Sequence, residues 1–316
     1  MKSILLFLAK AITTFGLITL VLWDQNFKAL AERISELSLL NLSLAMFFLV
    51  GQNVIAAIRW IVVMRIFGVS LPIGLAFRFY FEGLFFNQAL PSTVGGDGIR
   101  MYRSVKAGLP IAAGINGVLL DRIAGLVALL IIVAASQPWL YAKVSDVSAR
   151  SAFAIIIAIG VIGTISLLAS RYLPIRMRRG RVVRGVVGLS KGFWALMRDR
   201  EVGCIVFGLS LIGHVMTVTA IFILTKDLQM EVSFIDCLIL IPGVMLVAAL
   251  PISIAGWGVR ESVMITAMAL VNAPAVGSLS LSLVYGVLMV FIGLIGGAMW
   301  LFNPDKRIDT LTLSDA

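Results

Sequence analysis

The chain has 316 residues, of which 60% are hydrophobic and only 13% charged. Soluble domains are about 45–50% apolar and about 25% charged, so a soluble all-helical reading is set aside and the long apolar runs are read as membrane spans of about 20 residues each. The formal net charge of +10 then speaks for topology and anionic-lipid contact rather than nucleic acid.

From the N-terminus, Met1-Lys2 leads an apolar run that ends at Trp23. Lys10 interrupts it and no small-x-small cleavage site follows, so it reads as an uncleaved first helix over 4–22 rather than a signal peptide. Residues 27–38 place Phe27, Leu30, Ala31, Ile34 and Leu37 on one helix face, with Lys28, Glu32, Arg33 and Glu36 off it, the pattern of an interfacial helix. A span follows over 40–66. Residues 71–106 are apolar to Leu90 and then break at Pro91, Gly95, Gly96 and Gly98. Spans over 111–135 and 151–171 come next. The stretch 172–200 is strongly basic, and within it 181–198 is again amphipathic. After a span over 202–225, residues 234–275 break at Pro251, Gly256 and Gly258. The last span covers 279–302.

The basic stretch fixes the orientation, because cytoplasmic loops carry the excess of Lys and Arg. With 172–200 inside, Arg59, Arg65, Arg100, Arg103, Lys106, Lys306 and both termini also fall inside. The first broken segment must then enter and leave on the inside, and the second on the outside. Proline costs about 3 kcal/mol inside a helix and glycine favours turns, so both read as re-entrant hairpins. The expected fold is an all-α polytopic membrane protein with six full transmembrane helices and two re-entrant helical hairpins, forming one domain over 1–316 in the plasma (bacterial inner) membrane.

The two breaks match. Leu90–Arg100 reads LPSTVGGDGIR and Leu250–Arg260 reads LPISIAGWGVR, with Leu, Pro, Gly-x-Gly and Arg in register at an offset of 160 residues. The same offset carries 40–66 onto 202–225 and 111–135 onto the region of 279–302. Paired elements run in opposite directions, which is the plan of an inverted repeat, here about 1–136 and 151–303. Convergent helix breaking is the alternative. Broken backbone at membrane depth must be shielded by protein or line a polar cavity, so the breaks are expected to face each other or a shared cavity.

Several side chains there suit an anionic substrate. Arg100 and Arg260 each follow a break at the start of a helix, where guanidinium and backbone N–H groups together favour a phosphate. The bland alternatives are a snorkelling Arg100 and an Arg260 paired with Glu261. Asp97 stands where the second break has Trp257, so the halves are not chemically equivalent. Asp97 suits proton coupling or a pair with Arg100, and Trp257 suits lipid packing or interfacial anchoring. Asp121 and Arg122 lie inside a span, where charge is costly and faces protein or a polar cavity. Glu82, four residues after Arg78, is a second candidate for proton coupling. His214 is the single histidine and reads as a structural polar contact. Cys204 and Cys237 suggest neither disulfide nor metal site. No phosphate-binding loop, dinucleotide fingerprint or zinc-protease motif is present, so neither cofactor nor metal is expected.

These motifs resemble the transmembrane domain family of lysylphosphatidylglycerol synthases, described as flippase-like. The resemblance rests on PSTVGGDGIR at 91–100, DRIAG at 121–125 and PISIAGWGVRE at 251–261, and runs from about 5 to 303. It implies a domain that moves phospholipid between leaflets, with Gly125 and Glu261 among the motif positions. In bifunctional members a soluble C-terminal synthase domain makes the lipid. No such domain follows the last helix here, so lysyl transfer is not expected. Four readings remain: translocation of an anionic or phosphate-bearing lipid, a membrane glycosyltransferase using polyprenyl-phosphate sugar, a small-solute transporter, or a structural membrane partner. The first is favoured. The loops are too short for a catalytic domain, and Gly293, Gly296 and Gly297 permit close helix packing, within the chain or in a homo-oligomer.

Overall fold

The computed structural model describes residues 12–20, 27–90, 95–174, 176–177, 180–250 and 252–302, with helices and short connections and no strand among them. In chain order the helices are α1 (12–20), α2 (Phe27–Ser35), α3 (Leu39–Arg65), α4 (Ile73–Ala89), α5 (Gly95–Lys106), α6 (Ile111–Ala135), α7 (Gln137–Lys143), α8 (Val147–Ala169), α9 (Arg181–Arg198), α10 (Arg200–Asp227), α11 (Phe234–Ala248), α12 (Val259–Ala269) and α13 (Ala275–Leu301). Pro91 and Pro251, the terminal Lys2, Lys306 and Arg307, and much of the expected first span lie outside the described residues.

Among the described residues, five helices are long and apolar enough to cross a bilayer: α3, α6, α8 with the turn that follows it to Tyr172, α10 and α13. With its apolar helices, this is an integral membrane protein. Their starts are written locally. Asp146 accepts from the Ser148 and Ala149 N–H groups at the head of α8, and Asp199 from Val202 N–H at the head of α10. Each satisfies backbone donors that a helix start leaves open.

Packing follows a crossed scheme. α3 lies along α10, α4 along α13 and α11 along α6. α5 packs on α6 as α12 packs on α13, and α9 packs on α6 as α2 packs on α13. Each of these contacts has its counterpart at the 160-residue offset. Small residues bring the backbones together. A Cβ on Gly296 would collide with the Phe81 carbonyl, and one on Gly297 would lie 2.8 Å from the Phe85 ring. The glycine stripe of α13 is therefore occupied within the chain, by α4. The main core joins Leu49, Ile221, Leu224, Leu240, Leu281 and Ile292, all fully buried. α8 stands apart on the rim, with Ile155, Ile159, Ile162 and Ile165 exposed.

The two breaks differ. In the first, helix resumes at Gly95, so Gly95, Gly96 and Gly98 lie in the first turn of α5 rather than in an open turn. Gly96 is needed for proximity, since a Cβ there would collide with the Gly83 carbonyl of α4. In the second, the backbone stays irregular to Gly258, and Gly256 and Gly258 adopt φ of +80° and +85°, where a side chain is disfavoured.

Candidate functional site

The first break opens onto a charged cluster that joins three helices. Asp121 of α6, only 1% exposed, receives Arg59 Nε of α3 at 2.8 Å and Arg100 Nη2 of α5 at 3.0 Å. Arg100 also approaches Asp97 at 3.4 Å, and Asp97 pairs in turn with Arg122 of α6. Arg59 donates a further bond to Ser210 Oγ of α10 at 3.1 Å. Gly125, one turn beyond Asp121, makes room for this guanidinium, because a Cβ there would lie 3.0 Å from Arg59 Nη1. The Gly125 carbonyl meets His214 Nε2 at 2.9 Å, so the histidine is a structural contact.

The cluster holds three arginines against two carboxylates and so carries a surplus positive charge. Arg100 is 5% exposed and lies between aromatic rings, 4.3 Å from the Trp60 centroid and 4.6 Å from that of Tyr80. It is a buried member of the cluster and not a surface anchor. Its Nε, the Trp60 indole N–H and the Ser104 hydroxyl have no hydrogen-bond partner among the described residues. Buried donors without partners are costly, and these three lie close to the Arg100 end of the cluster.

Glu82 forms a separate cluster. It is buried, with Arg78 Nε at 3.1 Å and Arg103 Nε at 2.9 Å. Asn87 accepts the Gly96 N–H at 2.8 Å, tying the end of α4 to the start of α5.

The second break is organised differently. Arg260 donates to its neighbour Glu261 at 2.6 Å and to Ser282 of α13 at 3.1 Å. Glu261 also accepts the Gly258 N–H at 2.6 Å, which caps the start of α12. Arg260 lies 4.7 Å from the Trp257 ring and 5.4 Å from that of Tyr285. Trp257 thus stacks on the arginine. α1 covers this break: Ile254 N–H donates to the Thr14 hydroxyl at 2.9 Å, and a Cβ on Gly258 would lie 2.7 Å from that of Leu17. At Gly98, the counterpart of Gly258, an added Cβ meets nothing within 4 Å.

A groove of about 530 Å³ runs between α6, α8 and the end of α11. Arg122 stands in its lining, with Leu126 and Leu130 of α6, Ile159 and Gly163 of α8, and Leu250 at the second break. Arg122, the α6 partner of Asp97, thus stands in the groove wall and the second break reaches it through Leu250, whereas Asp97, Arg100 and Asp121 do not line the groove. Arg260, Glu261 and Trp257 do not line it.

Of the residues singled out from sequence, Asp97, Arg100, Asp121 and Arg122 come together, while Trp257, Arg260 and Glu261 form their own group. In the sequence Arg59 and Arg103 stand out only as charges that orient the chain. Arg59 lies about two turns inside a span and is followed by Trp60, which is the signal for a buried cation. No curated protein matches the chain. The model of the lysylphosphatidylglycerol synthase transmembrane region matches residues 5–297. That match points to a membrane-lipid role, and the chain belongs to the lysylphosphatidylglycerol synthase transmembrane-region family.

Proposed function

We propose that this protein translocates an anionic or phosphate-bearing lipid between the leaflets of the plasma membrane, with both termini cytoplasmic. The observation that carries this reading is the apolar groove beside α8 with Arg122, a member of the charged cluster, in its wall. Acyl chains suit the Leu and Ile lining, and a headgroup phosphate suits guanidinium donors. Arg122 is held by Asp97 alongside Arg100 and Asp121. An incoming phosphate competes with Asp97 for Arg122.

The framework fits that task. At about 1.5 Å per residue, α4, α5, α11 and α12 are about 16–25 Å long. All are shorter than the roughly 30 Å hydrocarbon core, which supports two re-entrant hairpins. The crossed packing, in which contacts recur at the 160-residue offset, supports an inverted repeat with substrate near the interface of its halves. A sixth span, over 4–22, rests on the apolar run of the sequence, of which only 12–20 are described.

The test is a reconstituted flipping assay on the intact chain with fluorescent phosphatidylglycerol. Gly163 lines the groove and an added Cβ there meets nothing within 4 Å, so Gly163→Phe is the substitution chosen to narrow it, with the thermal midpoint as the check on folding. The variant is expected to fold and to flip lipid much more slowly. Flipping at the intact rate in folded Gly163→Phe would overturn the groove as the path.

A further inference from the structure

A second cavity, of about 670 Å³, lies beyond the end of α8 and is lined by Arg171, Lys191, Trp194, Ala195, Arg198 and Asp199. We infer that it is a separate docking site for the phosphodiester headgroup of an anionic phospholipid at the membrane surface. The inference does not depend on translocation.

Three observations converge on it. The first is charge. Three cations face one carboxylate, and Asp199 is engaged in capping α10, accepting from Val202 N–H at 3.1 Å. Lys191 and Arg198 make no ion pair among the described residues. Both are exposed.

The second is construction. Trp194 is half-buried and fixed, its indole N–H donating to the Leu168 carbonyl at 3.3 Å. The Arg171 guanidinium lies 4.3 Å from the Trp194 ring and 4.6 Å from that of Tyr172. Lys191, Trp194 and Arg198 recur on one face of α9, at the spacing that puts side chains on a common stripe. The opposite face is anchored, since Leu189, Phe193 and Leu196 are buried and a Cβ on Gly192 would lie 2.7 Å from Phe67. The cationic face is therefore held against the bundle rather than carried on a loose linker.

The third is location. Met197 is exposed next to Arg198, as in helices that lie in the headgroup layer. Tyr172 and Trp194 at the end of a long apolar span match the aromatic belt of a membrane interface. Leu167 lines the apolar groove and Arg171 lines this cavity. Four residues separate them, about 6 Å along the helix. A headgroup docked here leaves its chains beside α8, next to the groove.

The test is native mass spectrometry of the full chain in neutral detergent, in the Gly163→Phe background, so that the filled groove does not contribute. The added probes are dioleoyl phosphatidylglycerol, dioleoyl phosphatidylcholine and inorganic phosphate. Phosphatidylglycerol is expected to be retained in preference to phosphatidylcholine. Adding Lys191→Gln and Arg198→Gln, both surface positions, is expected to weaken that retention about thirtyfold, as suits two cations beside an anionic surface. Equal retention of the two lipids, or undiminished phosphatidylglycerol binding after both substitutions, would overturn the site. Inorganic phosphate that displaces the lipid at equal concentration would overturn the lipid assignment and make this a soluble-phosphate site. Failure of the intact chain, with Gly163 retained, to flip lipid would refute translocation and leave this inference standing.

Discussion

At the first break Arg100 reaches from α5 to Asp121 of α6, whereas at the second break Arg260 turns to Glu261, its neighbour in sequence. The two arginines occupy equivalent positions of one motif, and aromatic rings flank both. What separates them is the partner. The first arginine belongs to a cluster shared by α3, α5 and α6, so moving any of these helices changes its pairing. The second belongs to a local pair that caps α12 and is covered by α1. The groove wall holds Arg122 of α6, the ion-pair partner of Asp97 in the first break, and apolar Leu250 at the second. The first arginine's partners therefore depend on how three helices pack, while the second's partner is its own neighbour in sequence.

The largest effect should come from Asp121→Asn, which leaves Arg59 and Arg100 buried with reduced compensation. Breaking a buried pair from one side costs about 3–5 kcal/mol, so the thermal midpoint in detergent should fall steeply or the chain should fail to fold. A small change would mean that water reaches the cluster. Next is Glu261→Gln, which strands Arg260 at a cost of about 3 kcal/mol. Adding Arg260→Met should recover part of this, because the pair leaves together. The folded double variant should still flip lipid, and loss of flipping with the midpoint retained would break the comparison by giving the second half a direct role.

The glycines sharpen it further. Gly96→Ala pushes α5 off the Gly83 carbonyl and should cost about 1–3 kcal/mol, the range for overpacking. Gly256→Ala meets only ordinary contacts, the nearest being the Ala248 carbonyl at 3.5 Å, and should cost about 1–2 kcal/mol for the left-handed backbone. Gly256→Asn should be milder than Gly256→Ala, since Asn visits that conformation more readily. The same replacement at Gly96 should give no relief over alanine. Thermal midpoints of the four variants check both statements.

How far the sequence reveals these features depends on their range. The long spans are legible as apolar runs, and the Arg260–Glu261 pair is legible because the partners are adjacent. The break at 90–95 is legible from its proline and glycines, but the helical state of Gly95, Gly96 and Gly98 is not. Glycine permits either conformation, and the close approach of α4 selects one. The Asp97–Arg122 and Arg59–Asp121 pairs join residues far apart in the chain, so they exist only once α3, α5 and α6 pack. Arg59 resembles any inward-lying positive charge until Asp121 is placed beside it.

The smallest effect lies at the start of α11, away from both breaks. Burial pushes the Asp236 carboxyl up, but hydrogen bonds from Lys143 and Ser233 outweigh this and hold it below its ordinary value. A depressed carboxyl contributes stability that is present above its unfolded pKa of about 3.9 and is lost as pH falls through the folded value. Lys143 is 45% exposed, so the pair should contribute about 1 kcal/mol or less. Asp236→Asn should flatten the acid limb of the stability profile by that amount and leave flipping unchanged at neutral pH.

The most direct measurement is an experimental structure of the intact chain in phosphatidylglycerol. The account predicts a lipid with an acyl chain between α6 and α8 and its phosphate within hydrogen-bond reach of Arg122. Lipid found only on the outer face of α8, with the groove between α6 and α8 closed by side chains, would contradict it.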